Sequence, residues 1–293
     1  MHYLDRYTEM LRAKKKDFAV VNGVLFVRKE RWIMPLGPVV NPCKLDHAEC
    51  RKLLHQLGGL WIMWNDGFGA SVSGTDWYAV ICRQHKPVEE VSSVNTRSKI
   101  RRGLKNCTVR MVSVQEIANN GYDTYCAALV GYGNGSTKLL TPGEFYSRVM
   151  TDEQFDDILQ QWAVYIEGKM VGFAQNLVYD KVEVDYTLIK MHPEYLNRYS
   201  SYALFYQMNE YYLCQASFQY VNDGFRSISH ETGIQEFLIK EFGFEKAYTD
   251  LHVHYSFPFG QLLKITRPFQ ALATYYFPKV DALFAMDRLR LKS

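Results

Sequence analysis

The sequence predicts an α/β (α+β) fold in which each of two subdomains holds a mixed, largely antiparallel sheet flanked by helices. Two observations predict it. Strand-like and helix-like apolar patterns alternate through the first third of the chain, and consecutive strand patterns fill residues 162–190. In addition, the chain has 293 residues, of which 47% are hydrophobic, enough to bury two modest cores. We place the division after residue 108, giving subdomains 1–108 and 109–293.

The N-terminal stretch MHYLDRYTEMLRAKKKDF predicts an amphipathic, charged helix. It has no apolar core of the length that a signal peptide needs, so we expect a cytoplasmic protein. No uninterrupted apolar run in the chain approaches the roughly 20 residues of a membrane span, and none is expected.

The first third continues with a predicted β-hairpin. Two strand-like runs flank Asn22-Gly23, a dipeptide that accepts the positive φ angles of a tight turn. A break rich in proline, PLGPVVNP, follows. The patterns then predict a helix over HAECRKLLHQL, strands over GLWIMWN and DWYAVIC, and a basic helix over SSVNTRSKIRRGLKN.

The second part begins with a strand, CTVRMVSV, a helical region from Val114 and a loop, GYGNGSTKLLTPGEF. DEQFDDILQQ predicts a helix. Three antiparallel strands cover WAVYIEGKMVGFAQNLVYD and KVEVDYTLIK, and a helix over ALFYQMNEYYLCQ comes next. A strand, SFQYVNDG, a helix, GIQEFLIKEF, and a last strand, LHVHYSF, precede an amphipathic C-terminal tail that could pack on the core or form a partner interface.

The charges are nearly balanced, which limits the classes of partner. The net charge is +3, with 34 basic and 31 acidic residues, so no global field favours nucleic acid or an anionic membrane, and any anion site must be local. The six cysteines form no CxxC pair. Their scatter favours reduced, buried thiols over a disulfide framework, and we expect no metal site.

The order of elements in the second part resembles that of the GNAT acyltransferase superfamily. In that family a central strand ends at a loop of the form Arg/Gln-x-x-Gly-x-Gly/Ala, and here Arg198-x-x-Ser201-x-Ala203 stands at that place. EFLIKEFGFEKAY looks like the family's penultimate helix with its Gly-Phe turn, and EGKMVGFA looks like its strand-turn-strand. Ser201 replaces the usual glycine, and Ile239 occupies the position of the tyrosine that is often the family's general acid.

The first part resembles that of the Fem-type branch, whose members carry tandem GNAT-like subdomains and transfer amino acids from aminoacyl-tRNA to peptidoglycan precursors. The matching stretches are RWIMPLGPVV, DWYAVIC and SSVNTRSKIRRGLKNCTVRMV. The coiled-coil arm of some Fem proteins has no room in this chain, which argues against handling of tRNA.

The GNAT resemblance implies that the loop before the helix ALFYQ holds the pyrophosphate of acetyl-CoA. The first N–H groups of a helix have no partner within it and lie at the positive end of its dipole, so they suit a phosphate. The cofactor-binding residues would be Arg198, Tyr199, Ser200, Ser201, Tyr202 and Ala203. An ordinary helix start capped by serine would show the same residues.

Acyl transfer to an amine also needs a group that accepts a proton. Glu183 and Asp185 lie two residues apart on one strand and therefore share a face, with His230 as a rival base. Asp223, Arg226 and Glu231 are the candidate substrate-binding residues. An exposed sheet edge would show the same alternation as a catalytic strand.

Together these features favour an N-acyltransferase that moves an acyl group, in our expectation acetyl from acetyl-CoA, to an amine on a small molecule, sugar or peptide. Two alternatives stay open. One is a Fem-like transferase that uses aminoacyl-tRNA, the only nucleic acid we consider as a partner. The other is a catalytically inactive GNAT-like binding protein. The basic run Arg97, Lys99, Arg101, Arg102 and Lys105 is either a phosphate-binding face or a solvated one.

Overall fold

The computed structural model describes residues 3–68, 76–131, 138–228, 233–270, 274–275 and 280–292. It is a mixed α/β structure with two sheets flanked by helices, which confirms the predicted fold class. The chain forms two compact units. Unit 1 comprises Met1–Val80, Phe225–Gln235 and Lys246–Ser293, and unit 2 comprises Ile81–Gly224 and Glu236–Glu245. The proposed subdomain division after residue 108 stays a prediction.

The strands, in chain order, are β1 Phe18–Val21, β2 Val24–Lys29, β3 Trp32–Leu36, β4 Trp61–Asn65, β5 Tyr78–Cys82, β6 Thr108–Val112, β7 Leu159–Ile166, β8 Lys169–Tyr179, β9 Glu183–Met191, β10 Tyr220–Phe225, β11 Glu245–Tyr248 and β12 Leu251–Tyr255. The helices within the described residues are α1 Tyr3–Ala13, α2 His47–Leu57, α3 Val94–Asn106, α4 Val114–Asn120, α5 Tyr122–Gly131, α6 Pro142–Met150, α7 Ser200–Asn209, α8 Gly233–Phe242, α9 Phe259–Thr266 and α10 Asp281–Lys292.

The smaller sheet has the strand order β1-β2-β3-β4-β12. Its first hairpin is the predicted one: Val21 pairs with Val24, and the two turn residues, Asn22 and Gly23, have φ angles of 52° and 75°. Asp46 is the N-cap of α2 and forms a capping box with Glu49. The Asp46 side chain accepts a hydrogen bond from the Glu49 backbone N–H, and the Glu49 side chain accepts one from the Asp46 backbone N–H. The core beneath this sheet includes the buried side chains Phe26, Ile33, Leu53, Leu57 and Ile62.

The larger sheet has the order β11-β5-β10-β9-β8-β7-β6. As predicted, β7, β8 and β9 form three consecutive antiparallel strands. The turn between β7 and β8 uses Glu167 and Gly168, both with positive φ. Next to them, β10 runs parallel to β9, so the carboxyl ends of these two strands lie at the same edge of the sheet.

One predicted helix is wrong, the second run of the predicted hairpin forms two strands, β2 and β3, and one strand was not predicted. The helix predicted over residues 152–161 is wrong, because only Glu153–Phe155 forms a short 3₁₀ turn and β7 already begins at Leu159. The apolar residues Phe155, Ile158 and Leu159 mimic helical spacing, yet all three are buried where a turn enters a strand. Strand β11 was not predicted. The last predicted strand, β12, pairs with β4 of the smaller sheet.

Within the described residues, no helix combines the length and the apolar character that crossing a bilayer requires.

Candidate functional site

The candidate site lies in unit 2, where the parallel strands β9 and β10 separate. Their pairing covers Tyr220–Glu183, Val221–Val184 and Asn222–Asp185. Both strands continue beyond these pairs, β9 to Met191 and β10 to Phe225. The parallel ladder between β9 and β10 therefore ends at Asp185 and Asn222.

Each strand carries a local irregularity at the level where the pairing ends. On β9 the register against β8 shifts, so that Asn176 pairs with Tyr186 and Gln175 with Leu188, leaving Thr187 as an extra residue. Such a β-bulge bends its strand. On β10, Gly224 has a φ of 89°, and its N–H donates to Oδ1 of Asn222 (2.8 Å). The positive φ suits glycine.

Glu183 is held at the start of the ladder between β9 and β10. Its side chain is 1% exposed. The Tyr220 hydroxyl donates to one carboxylate oxygen, and Nδ2 of Asn222 donates to the other at 2.9 Å. Both partners come from β10, so the carboxylate joins the two strands. A buried carboxylate that accepts bonds from neutral donors is suited to fixing the strand ends in place.

Two further carboxyl groups, Asp185 and Asp223, lie at the point of separation, and both are half-buried. Burial, followed by the nearby Asp185 carboxylate, raises the pKa of Asp223 to about 7. A carboxyl group whose pKa is near neutrality exchanges a proton readily at physiological pH. Asp223, which the sequence analysis gave as a candidate substrate-binding residue, therefore has the pKa of a group that can act as a base.

The loop before α7 follows β9 directly. A 3₁₀ turn, Pro193–Arg198, ends at Tyr199, which has a φ of 62° and immediately precedes α7. Arg198 is exposed. Ser200 is fully buried, and its hydroxyl donates to the carbonyl of Tyr195 at 3.1 Å. No side chain caps α7, so its first N–H groups have no side-chain partner.

Helix α3 packs against this same loop and places cations beside it. A Cβ at Gly103 would lie 2.6 Å from the Tyr199 carbonyl oxygen and 3.2 Å from the Ala203 nitrogen, so only glycine permits the observed approach. Nζ of Lys99 donates to the Tyr202 hydroxyl at 3.0 Å, and the Arg102 guanidinium donates to the Tyr199 hydroxyl at 3.3 Å.

The basic residues of α3 also line a surface groove. Arg97, Arg101, Arg102 and Lys105 line a shallow surface groove of about 320 Å³ together with Val94 and Ser98. Arg97 also donates to the carbonyl of Val91, and Arg101 lies 3.5 Å from Glu89. Helix α3 thus contacts the loop before α7 through Gly103 and Lys99, and it also carries several positive charges on its surface.

The structure brings together some of the predicted site residues. Glu183, Asp185 and Asp223 meet at the separation of β9 and β10, and residues 198–203 follow β9 along the chain. Arg226 belongs to unit 1, where its guanidinium donates to the Asp76 carbonyl at 2.9 Å and its N–H to the Tyr78 carbonyl. His230 and Glu231 lie outside the described residues.

Sequence reasoning missed three features of the site: the bulge at Thr187, the turn at Gly224 and the contact at Gly103. The glycine in VNDGF was a usable signal, since an isolated glycine within a strand often marks an irregularity. The bulge left no signal, because it is defined by pairing with β8. Gly103 gave none either, because its neighbours lie about 100 residues away in the sequence.

The parallel, separating strands and the helix that follows β9 belong to a GNAT-like fold. Two solved structures show that this fold is close to the Fem type. FemX has a TM-score of 0.54 at 11% identity, covering 89% of this chain and 92% of FemX. A conserved protein of unknown function from Bacteroides thetaiotaomicron has a TM-score of 0.53 at 12% identity, covering 85% of this chain and 88% of that chain.

A tandem GNAT protein from the clavulanic acid biosynthesis pathway has a TM-score of 0.48 at 10% identity, covering 87% of this chain and 95% of that chain. No protein-family model and no curated protein matches the sequence.

Proposed function

We propose that this protein is an N-acyltransferase that moves an acyl group from a thioester donor to an amine. One observation carries the proposal: a carboxyl group with a pKa near 7, Asp223, lies where two parallel strands separate, and one of these strands leads into a helix N-terminus. In this arrangement an acidic group, backbone donors of β9 and a helix N-terminus are all associated with the strands β9 and β10.

Each part of the site has a task in acyl transfer. Backbone N–H groups of β9 beyond Asp185 stabilise the oxyanion that forms when the amine attacks the acyl carbonyl. Asp223, in its ionised form, accepts the proton that the attacking nitrogen loses. Asp185 keeps the Asp223 pKa high, and Glu183, held by Tyr220 and Asn222, fixes the strands. The leaving thiolate takes no proton from Ile239, which is apolar.

Acetyl-CoA is the donor that we propose, with the start of α7 as its phosphate site. The uncapped N–H groups of α7 and the exposed guanidinium of Arg198 fit an anion. Ser200 does not contribute its hydroxyl, since that group donates to Tyr195. Because α3 contacts Tyr199 and Ala203, the phosphates would approach from the side of Arg198.

The experiment that tests this donor is the change in thermal midpoint on titration with acetyl-CoA, CoA and desulfo-CoA. A ligand that binds only the folded state raises the thermal midpoint. At a ligand concentration of one hundred times the Kd, the free energy of unfolding increases by about 2.7 kcal/mol. We expect a saturable rise with all three. A flat response at millimolar concentration would remove acyl-CoA as the donor.

The variant Arg198→Ala tests whether Arg198 binds the donor. We expect donor affinity to fall by roughly tenfold to a hundredfold, since a charge-assisted hydrogen bond contributes about 1.5–3 kcal/mol, with little loss of stability because the side chain is exposed. Arg148→Ala, an exposed arginine on α6, is the matched control. Equal affinities of the two variants would contradict the assignment of Arg198.

The basic groove on α3 favours a second candidate donor, aminoacyl-tRNA, which the Fem-type resemblance implies. Four cations lie along one groove on α3, and a polyanion such as tRNA can contact several of them at once. If tRNA is the donor, its affinity should fall steeply with salt, and Arg101→Ala with Lys105→Ala should reduce the salt slope by about 2. Binding of neither donor would favour a GNAT-like protein without catalytic activity.

The acceptor that we propose is an amine on a small molecule, a sugar or a peptide. A screen of such amines with the donor that binds would identify it.

A further inference from the structure

A cavity of about 250 Å³ opens in unit 1 beside strand β12, which lies at one edge of the smaller sheet. The start of α2, the end of β12 and the helices α9 and α10 contribute its lining, and all of the lining residues belong to unit 1. The carboxyl groups considered for acyl transfer, Glu183, Asp185 and Asp223, all belong to unit 2. This cavity is therefore separate from the site proposed above.

The lining of this cavity includes a buried carboxylate, that of Asp287 on α10. The residue is 7% exposed. The Tyr255 hydroxyl donates to its Oδ1 at 3.2 Å, and the Arg290 guanidinium donates to the same oxygen at 2.8 Å. Both bonds end on Oδ1, and Oδ2 accepts none from the residues that the structure describes. Because buried polar groups are nearly always hydrogen-bonded, Oδ2 indicates a donor that a ligand in the cavity supplies.

A positive charge comes from Lys264 on α9, which also lines the cavity. Within the described part of the chain, its ammonium group has no hydrogen bond or ion pair. On the side of α2, the rings of His47 and His254 lie 5.4 Å apart. Burial, followed by the His47 and Arg51 charges, lowers the pKa of His254, so the potential at this part of the lining is positive. Both features favour an anionic group on the ligand.

We propose that this cavity binds a small zwitterion, a free amino acid, whose ammonium group donates to Oδ2 of Asp287 and whose carboxylate binds Lys264. The two charges of such a ligand match the lining, whereas a simple amine would meet Lys264 and a simple organic acid would meet Asp287. A volume of about 250 Å³ suits a molecule of this size, since the pockets of larger, drug-sized ligands measure roughly 300–1,000 Å³. Val253 and Leu263, both buried, add apolar surface for a side chain.

A ligand screen with the full chain tests the proposal. At least one of the common L-amino acids, at about 10 mM, should raise the thermal midpoint, because a ligand that binds only the folded state stabilises it. Two analogues of that amino acid, the amine without the carboxylate and the acid without the amine, should each bind at least about tenfold more weakly. The proposal is overturned if no amino acid raises the midpoint, or if either analogue binds as tightly as the amino acid.

The histidine ring signals in NMR spectra show where the amino acid binds. On titration with the amino acid, the signals of His254, which lines the cavity, should shift, while those of His85, which belongs to unit 2, should stay in place. A shift of the His85 signals with the His254 signals unchanged would place the ligand elsewhere and contradict the proposal.

Two variants test the charged groups separately. Lys264→Gln should lower the affinity for the amino acid about tenfold to a hundredfold and leave that for the amine analogue unchanged. Asp287→Asn, which keeps an oxygen for Tyr255 and Arg290, should lower the amino acid affinity similarly without weakening the acid analogue. Lys52→Gln, at an exposed lysine of α2 outside the lining, is the matched control. If Asp287→Asn does not fold, the exposed Lys264 decides: an affinity of Lys264→Gln equal to that of the control would overturn the proposal.

Discussion

At the scale of the residue, Asp223 determines the chemistry that we propose. Asp223→Asn removes the proton acceptor and should lower kcat about 10²- to 10⁴-fold, with donor affinity retained. The assay is acyl transfer to the amine that the acceptor screen identifies, with donor binding followed by thermal midpoint. Asp156→Asn, an exposed aspartate in the turn before β7, is the control. A kcat loss equal in both variants would exclude Asp223 as the base.

The neighbouring Asp185 should control the proton affinity of Asp223. Because Asp185 is one of the two causes that raise the Asp223 pKa, Asp185→Asn should lower that pKa below its value of about 7. The ¹³C shift of the Asp223 carboxyl group followed by NMR measures it without a substrate. An Asp223 titration that stays in place would show that burial alone sets the pKa.

The raised pKa of Asp223 also makes the stability of the protein depend on pH. The folded protein holds the Asp223 proton more tightly than the unfolded chain, whose ordinary value is 3.8. The folded state therefore binds more protons between pH 4 and pH 7, and this residue's contribution to the free energy of unfolding decreases as pH rises through that window. Asp223→Asn should remove the decrease.

At the scale of the element, the contact between α3 and the start of α7 depends on Gly103. Gly103→Ala would place a Cβ against the Tyr199 carbonyl and the Ala203 nitrogen, which are backbone atoms that cannot rotate away. We expect a loss of about 1–3 kcal/mol of stability, as for other overpacked sites, together with weaker donor binding. Denaturant unfolding measures the first quantity.

Gly143→Ala is the matched control for that prediction. Gly143 also lies in a helix, α6, but a Cβ there meets no atom within 4 Å. This variant should be neutral or stabilised by a few tenths of a kcal/mol, since alanine has the higher helix propensity. If both variants unfold alike, the packing of α3 on α7 does not depend on the absence of a side chain at Gly103.

At the scale of the whole molecule, two half-buried histidines should contribute stability that is lost on acidification, opposite in sign to the contribution of Asp223. Burial lowers the pKa of His85, and burial, with the His47 and Arg51 charges, lowers that of His254. At these two groups the folded state therefore binds fewer protons than the unfolded chain, whose histidine value is 6.5. The stability from both groups is fully present above pH 6.5 and decreases as pH falls through the lowered values.

His85→Phe tests this prediction with packing preserved. The His85 ring lies edge-to-face with Tyr206 at 4.7 Å, a contact that phenylalanine can keep while it removes the titrating group. The thermal midpoint of this variant should drop less between pH 7 and pH 5 than that of the unmodified protein. His55→Phe, at an exposed histidine, should show the unmodified slope.

The sequence by itself determined the local elements whose signals are local. Asn22-Gly23 specified the first hairpin, the Asp46 and Ser93 caps specified where α2 and α3 begin, and the alternation in KVEVDYTLIK specified β9. It also placed Glu183 and Asp185 on a strand followed by the α7 loop. These features depend on contacts within a few residues, and for that reason one sequence suffices to predict them.

Only the tertiary structure decided the geometry of the site. The Thr187 bulge exists relative to β8, the Asp223 pKa depends on burial and on Asp185 from another strand, and Gly103 contacts Tyr199 across a long loop of chain. The incorrect helix prediction over residues 152–161 has the same cause. Phe155 and Leu159 are apolar because they fill the core of the folded protein, and not because they form one face of a helix. Side chains distant in sequence create these properties, so no local pattern records them.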